Sequence, residues 1–473
     1  FSFLPIFNFF FFFYFLVGKM ILSLFAFILP QVLFATNYKT PPEVLYPQQY
    51  TTWIRKHENS RLGYIDIPFY NKEEQTDDNV HLYRLDLVGK SDYERGYAHG
   101  SLLAKEIVEF VDIQLSKYYM SFFLNIDLSD YPEPLRSILR IIQIKGALAA
   151  PEAMMKGMAW VYEQEKEYMP EYLLNEIDGI ADGMCSTITC NATEWRNTIR
   201  YVNMLPELIK MACTAFGAWG PATPSGKLIQ NRALDFGGGP FGNYSVVSVY
   251  RGEDLERAFM TLTFPGFVGV ITGISQNGVG ISEKFGDDHP GAYDGEPDVF
   301  VLRDLLQLSK NRVEAEAHMT SVKRTWAMYV GVGDFETQIM DITMYQQASA
   351  IAYTDVTMPS VTSQPYLDSV VYVDKHSQPS NYDPSQSDAL YTPLSDFYGQ
   401  ITLDTARTVI QYHGTGDVHI AQYDFGSNQV QVAIGKINEK GEYRPVGGTD
   451  EDVWKAYNRP FVRFSLDDLW NGK

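Results

Sequence analysis

The period of the chain's hydrophobic residues changes at Cys213, and that change limits the folds open to it. Upstream, apolar residues recur at helical spacing. In 170–184, Leu173, Leu174, Ile177, Ile180 and Ala181 share one face of a helix. Ser91 and Glu94 make a capping box at the head of a longer helix, after an alternating strand over 81–89. Residues 134–168 are helical in pattern, broken near Pro151. Downstream, SVVSVYRG and RAFMTLTFPGFVGVITGISQNGVGISEKFG are β-branched, aromatic and punctuated by glycine. Gln276-Asn277-Gly278 predicts a tight hairpin turn. Residues 298–320 and LDTARTVIQYHG return to helix, and TWAMYVGVGDFETQIMDIT and HIAQYDFGSNQVQVAIG give further strands. Residues 36–75, rich in Pro and Tyr, read as an irregular arm, and 355–396 as a long surface loop. A helical first half, then strands, helices and more strands, predicts an α+β fold of stacked sheets covered by helices.

At the change itself stands MACTAFGAWGPATPSGKLIQNRALDF, residues 211–236. Two strand-like runs flank a turn over 221–226, and the second run ends in Arg232 and Asp235. Antiparallel pairing would return that end to the start of the first run, bringing a cation and a carboxylate near the Cys213 thiol. A free cysteine is more often a small buried hydrophobe, and an Arg and Asp three apart more often a structural pair. Composition alone therefore leaves both readings open.

The formal net charge of −20 argues against nucleic acid, which requires a basic face, and suits an acidic compartment. From Met20, ILSLFAFILPQVLFA is a short apolar run ending near Ala35. It predicts a secretory signal peptide, cleaved near Ala35, with no stable membrane anchor afterwards. Read as a whole, residues 1–35 could instead span a bilayer. On a secretory route Cys185 and Cys190, in MCSTITC, could close a small disulfide and leave Cys213 as the odd thiol. The alternative is three reduced, buried cysteines. Asn191-Ala-Thr and Asn243-Tyr-Ser are glycosylation sequons compatible with that route.

CTAFGAW, SGKLIQNRALDF, NEIDGIADGM and FPGFVGVITGISQNGVGISE, in that order between about Gly96 and Gly435, resemble a known group. They are similar to the N-terminal-nucleophile (Ntn) hydrolases, most of all the acyl-coenzyme A:6-aminopenicillanic-acid acyltransferase family and its amoeboid lysosomal relatives. Acid ceramidase, N-acylethanolamine acid amidase and bile-salt hydrolases are more distant kin. The resemblance implies a four-layer αββα sandwich with two central antiparallel sheets. It implies self-cleavage between Ala212 and Cys213, giving an N-terminal chain over 36–212 and a catalytic chain over 213–473 that stay associated. The freed α-amino group of Cys213 would serve as the base, Asp235 would orient it and the thiol, and Arg232 would be the cation beside the nucleophile. Ala233 stands where the family usually has Asn, and GISEKFG offers no Asn for an oxyanion site, leaving a backbone N–H or Lys284. No cofactor or metal is implied. The expected activity is a secreted or lysosomal amidohydrolase or acyltransferase acting on an acyl amide. The alternatives are a phospholipase B-like or ceramidase-like lipid acyl hydrolase, and a catalytically silent binding protein.

Three further patterns are weaker. His413 and His419, six apart around Asp417, could suggest a metal cluster, but the spacing favours an ordinary loop. Asp287, Asp288, His289, Asp294, Glu296 and Asp298 form an acidic stretch that reads as a solvated loop rather than a cation site. Phe264, Phe267, Trp219 and Tyr244 are candidates for an apolar acyl pocket, with core packing the commoner fate of such residues.

Overall fold

The computed structural model describes residues 38–46, 51–71, 76–111, 128–129, 131–145, 150–208, 212–236, 241–286, 292–345, 350–354, 367–374, 389–437 and 453–473. The predicted signal segment lies outside them, as do Asp287, Asp288 and His289. Among the described residues, the larger sheet has ten strands. In spatial order they are Ala350–Thr354, Met340–Tyr345, Met328–Asp334, Val279–Phe285, Thr272–Ser275, Phe259–Thr263, Val246–Arg251, Thr76–Val88, Ser60–Asn71 and Thr51–His57. A second sheet has seven: Val44–Leu45, Phe461–Ser465, Gln429–Ile434, His419–Asp424, Ile229–Asp235, Ala212–Ala218 and Val370–Val373.

Both sheets are mixed rather than antiparallel. Thr76–Val88 runs parallel to Val246–Arg251, and Val44–Leu45 parallel to Phe461–Ser465. Each parallel pair joins a segment upstream of Cys213 to one far downstream, where the intervening chain is long enough for a crossover. Neither region read as irregular is wholly so. Ser60–Asn71 buries Ile65 and Ile67 between the sheets and Leu62 against the helices. Burial on both faces removes the simple alternation that marks a one-sided strand. Val370–Val373, inside the expected surface loop, pairs with Ala215–Ala218 at the edge of the smaller sheet.

Three apolar cores separate these elements. Leu102 and Ile180, from the helices Asp92–Val108 and Glu171–Thr187, pack with Leu85 and Tyr250 of the larger sheet. Val249 and Leu262 pack between the sheets with Val371, Tyr423 and Val432. Val409 and Ile410 of the helix Leu403–His413 cover Phe216 and Ala233 on the smaller sheet's other face. Fully burying one such side chain stabilises the fold by about 1.5–3 kcal/mol. Ser91 caps the first helix, accepting from Glu94 N at 3.2 Å. That helix crosses Glu171–Thr187 backbone to backbone: a Cβ on Gly96 would lie 2.0 Å from Glu176 O, and one on Gly183 2.1 Å from Tyr97 O. Only glycine permits this approach. Among the described residues no helix is long and apolar enough to cross a membrane.

Candidate functional site

The hairpin sets the site by parity. Cys213 lies opposite Leu234, and Ala215 opposite Arg232, so these four share one face of the smaller sheet. On the next strand His419 lies opposite Leu234 and joins that face. Asp235, opposite Ala212, takes the other face with Thr214 and Ala233. Arg232 and Asp235 are three apart, and an odd offset on a strand sends side chains to opposite sides. The pair expected to meet at the thiol is therefore divided between the two faces.

On the thiol face Arg232 is the hub. Its Nη2 donates to Cys213 Sγ at 3.0 Å and to Glu283 Oε2 at 3.1 Å. Its Nε donates to Glu283 O at 3.2 Å, and its Nη1 lies 2.9 Å from His419 Nε2. Cys213 Sγ is 3.8 Å from Glu283 Oε2. All four side chains are buried. Burial pushes the Cys213 thiol well up; Arg232 opposes this, while the charges of Glu283 and Asp235 add to it. Burial raises Glu283 too, against the opposing charge of Arg232. His419 is held well below the usual histidine range, by burial first and Arg232 second. The arrangement is a buried thiol beside a fixed cation, with the carboxyl group of Glu283 3.8 Å from the sulfur.

On the other face, Asp235 Oδ1 accepts from Gly416 N at 2.9 Å and Oδ2 from Thr415 Oγ1, which lies 2.9 Å from Thr214 Oγ1. Gly416 has φ +91°, a conformation that favours glycine. By register Asp235 stands beside the backbone that leads into Cys213 rather than beside the sulfur.

An apolar cleft is walled by Phe236, Phe241, Phe264, Phe267, Leu205 and Pro206, and it meets the Arg232 cluster through Phe264. Phe264 stacks on the His419 ring, with centroids 5.6 Å apart. Of the four aromatic candidates only Phe264 and Phe267 line this cleft. Trp219 packs between the sheets, and Tyr244 leans on Phe110 with its hydroxyl 3.3 Å from Glu109. Lys284 Nζ donates to Phe285 O at 3.0 Å and lies over the Tyr329 ring. His413 faces Asp374 at 3.5 Å while His419 serves Arg232, so the two histidines go to different partners. Asp294 pairs with Lys323, and Asp298 heads the helix Asp298–Leu308. Cys185 and Cys190 are joined in a disulfide, their Cα atoms 5.1 Å apart. Asn191 is exposed and caps the helix Ala192–Asn203, accepting from Thr193 N at 3.1 Å. Asn243 is half-buried in the 3-10 turn Gly242–Tyr244.

Sequence reasoning did not single out Glu283 or Thr415, and it weighed His419 only as a metal ligand. The available signal was an ionisable residue within a strand-like run, Glu283 in GISEKF and His419 in HIAQYD.

No family model matches the chain. Among solved structures, it is similar to an N-acylethanolamine-hydrolyzing acid amidase ortholog of Caenorhabditis elegans, at 14% identity and TM-score 0.36, covering 51% of this chain and 99% of that one. It is also similar to a conjugated bile acid hydrolase variant of Clostridium perfringens, at 10% identity and TM-score 0.33, covering 48% and 90%. By sequence it is 31% identical to the protein dcd1B of Dictyostelium discoideum over 84% of this chain and 76% of that protein. It is 31% identical to dcd1A of the same organism over 80% and 84%. With that identity sustained along most of both partners, the chain belongs to the family of the Dictyostelium discoideum dcd1 proteins.

Proposed function

We propose that the chain is a cysteine hydrolase of the N-terminal-nucleophile kind, acting on acyl amides through Cys213. The observation that carries this reading is Arg232, which donates at 3.0 Å to a buried thiol at the head of a strand. In the precursor, Sγ attacks the Ala212 carbonyl carbon and the C–N bond to Cys213 breaks. The nitrogen takes the proton and becomes a free α-amine, while Ala212 is held as a thioester that water hydrolyses. Glu283, 3.8 Å from Sγ, is in reach of the thiol proton during that step. Asp235, opposite Ala212 in register, is the carboxylate for the new ammonium. The mature enzyme repeats the chemistry on substrate. The α-amine takes the thiol proton, Sγ attacks the amide carbon, and the amine leaves with the proton. Water then resolves the acyl-enzyme; an amine in its place would make the enzyme an acyltransferase.

The phenylalanine-walled cleft supports an aliphatic acyl group, which also suits a ceramidase-like or phospholipase B-like lipid substrate. The Cys185–Cys190 disulfide supports the secretory or lysosomal route. N-terminal sequencing of the purified protein after denaturation tests the reading: the downstream fragment should begin Cys-Thr-Ala-Phe, and Cys213→Ala should remain one chain. Any other start would assign the cut to an outside protease and remove the mechanism. One uncut chain without amidase activity would favour the silent binding protein.

A further inference from the structure

Arginine has no acceptor, so in its contact with His419 it must donate. Nε2 of His419 is therefore the acceptor, and the ring proton sits on Nδ1. That Nδ1 is buried and has no hydrogen-bond partner among the described residues. Leaving a buried N–H bare is costly. His99 and His413 also bury an Nδ1 that is partnerless among the described residues, so what marks His419 is its place beside the thiol, where a bound molecule can supply the missing acceptor. The position is suited to this. His419 shares a sheet face with Cys213, in one cross-strand row with Leu234 between them. Its ring stacks on Phe264, a wall of the apolar cleft. Arg232 bonds both the thiol and the imidazole, fixing one relative to the other.

We propose that His419 Nδ1–H is a catalytic hydrogen-bond donor that holds the carbonyl oxygen of a bound acyl group when Cys213 attacks its carbon. This deepens the hydrolase reading and rests on it. The donor serves the oxygen as it gains charge, and the tautomer is set in advance by Arg232, so nothing rearranges during attack. No general-base role follows for His419, because its only acceptor nitrogen is taken by Arg232.

Decanal is a suitable probe. The thiol adds to the aldehyde carbon, the C=O π pair moves to oxygen, and the thiol proton ends on that oxygen as a thiohemiacetal, with no co-reactant. Iodoacetamide reacts with the same sulfur without building charge on an oxygen. His419→Phe keeps a ring against Phe264 and removes the donor. His419→Gln restores an acceptor for Arg232 and an N–H. We expect His419→Phe to weaken decanal binding on the order of 100-fold and His419→Gln to recover about tenfold of it, while Cys213 alkylation stays within about threefold. Equal losses of decanal binding and alkylation in His419→Phe would mean that His419 only braces Arg232, and overturn the donor; unchanged decanal binding would do so too. Should the variants misfold, the wild-type protein labelled with nitrogen-15 in histidine gives the answer. The His419 Nδ1–H resonance should move downfield on adding decanal, and a resonance that stays in place overturns the proposal. A wild-type protein that binds decanal with this pattern but hydrolyses no fatty acyl anilide breaks the hydrolase reading and supports the donor. A Cys213 that takes neither reagent overturns both.

Discussion

Two buried carboxylate neighbourhoods, one beside the Cys213 thiol and one beside the short helix Leu205–Leu208, are wired differently. Glu283 sits against the guanidinium of Arg232 at 3.1 Å. Glu207, Asp298 and Glu165 sit among one another, and none of the three makes an ion pair among the described residues. Glu207 Oε1 accepts from Asp298 N at 3.0 Å, and its Oε2 accepts from Thr325 Oγ1 at 2.6 Å. Thr325 Oγ1 also lies 3.4 Å from Asp298 Oδ1. Both oxygens of Glu165 are buried without a partner among the described residues. Burial raises all four carboxyls, but only for Glu283 does a bonded cation oppose it. A buried carboxyl keeps its charge where a cation faces it and keeps a proton where none does. The first neighbourhood suits a reacting sulfur. The second ties down Leu205–Leu208, the short helix that leads towards Cys213, aided by Tyr293 and Tyr131, whose hydroxyls donate to Glu207 O and Leu208 O.

Removing the cation should do the most damage. Arg232→Ala leaves Glu283 buried and unpaired, at a cost of about 3–5 kcal/mol in stability, and should abolish hydrolysis. Arg232→Lys keeps the charge but loses the planar fork, and should retain part of both. Urea denaturation and amide hydrolysis on the two variants check this; an Arg232→Ala protein that matches wild type in both would erase the contrast.

The second neighbourhood should show itself through pH. Burial raises Glu207 from 4.5 to about 7 in the folded chain. Below pH 4.5 both folded and unfolded forms are protonated, and folding carries no penalty. As pH rises from there to about 7, the unfolded chain gives up the proton first, and stability falls by roughly 3 kcal/mol. Glu207→Gln cannot ionise and should lose less over that window by the share of Glu207, with Asp298 and Glu165 still titrating, while matching wild type near pH 4.5. Parallel pH–stability curves for the two proteins would show that Glu207 is not the group holding the proton.

The smallest effect concerns the sulfur's own titration. The Glu283 charge raises the Cys213 thiol, so Glu283→Gln should lower the midpoint of its alkylation profile by about one pH unit. The same change removes the carboxylate in reach of the thiol proton, so self-cleavage should slow. A midpoint that rises instead would mean Glu283 reaches the sulfur as a neutral acid.

What the sequence disclosed, and what it hid, follows the distance over which each contact acts. The hairpin was legible because its turn residues and alternation are local: Ala212–Ala218 and Ile229–Asp235 pair much as the spacing implied. The helix Asp92–Val108 was announced by its Ser91 cap. Ser60–Asn71 was not, because residues buried on two faces carry no single period. The site was half legible. Arg232 could be placed beside Cys213 from the hairpin alone. Glu283 and His419 reach Arg232 from 51 and 187 residues away, a closure that no local pattern encodes. The position of Asp235 needed only strand parity, which puts it on the other face of the sheet from Arg232, beside the Cys213 backbone, with its charge still acting on the thiol.

The parallel pairing of Thr76–Val88 with Val246–Arg251 has a bearing on how such a protein must be made. The pairing runs from Tyr83 beside Val246 to Val88 beside Arg251. A break before Cys213 would leave the upstream piece owning three outer strands of the larger sheet and one edge strand of the smaller, and the downstream piece owning the rest. Synthesised separately, each piece would present a long, unpaired, apolar strand edge, a template for aggregation. Under the proposed self-cleavage, covalent continuity would be a folding aid with a limited term of service, needed until the seam has formed. Co-expressing 36–212 and 213–473 as separate chains should give insoluble protein, although the same two pieces, cut after folding, would travel as one particle.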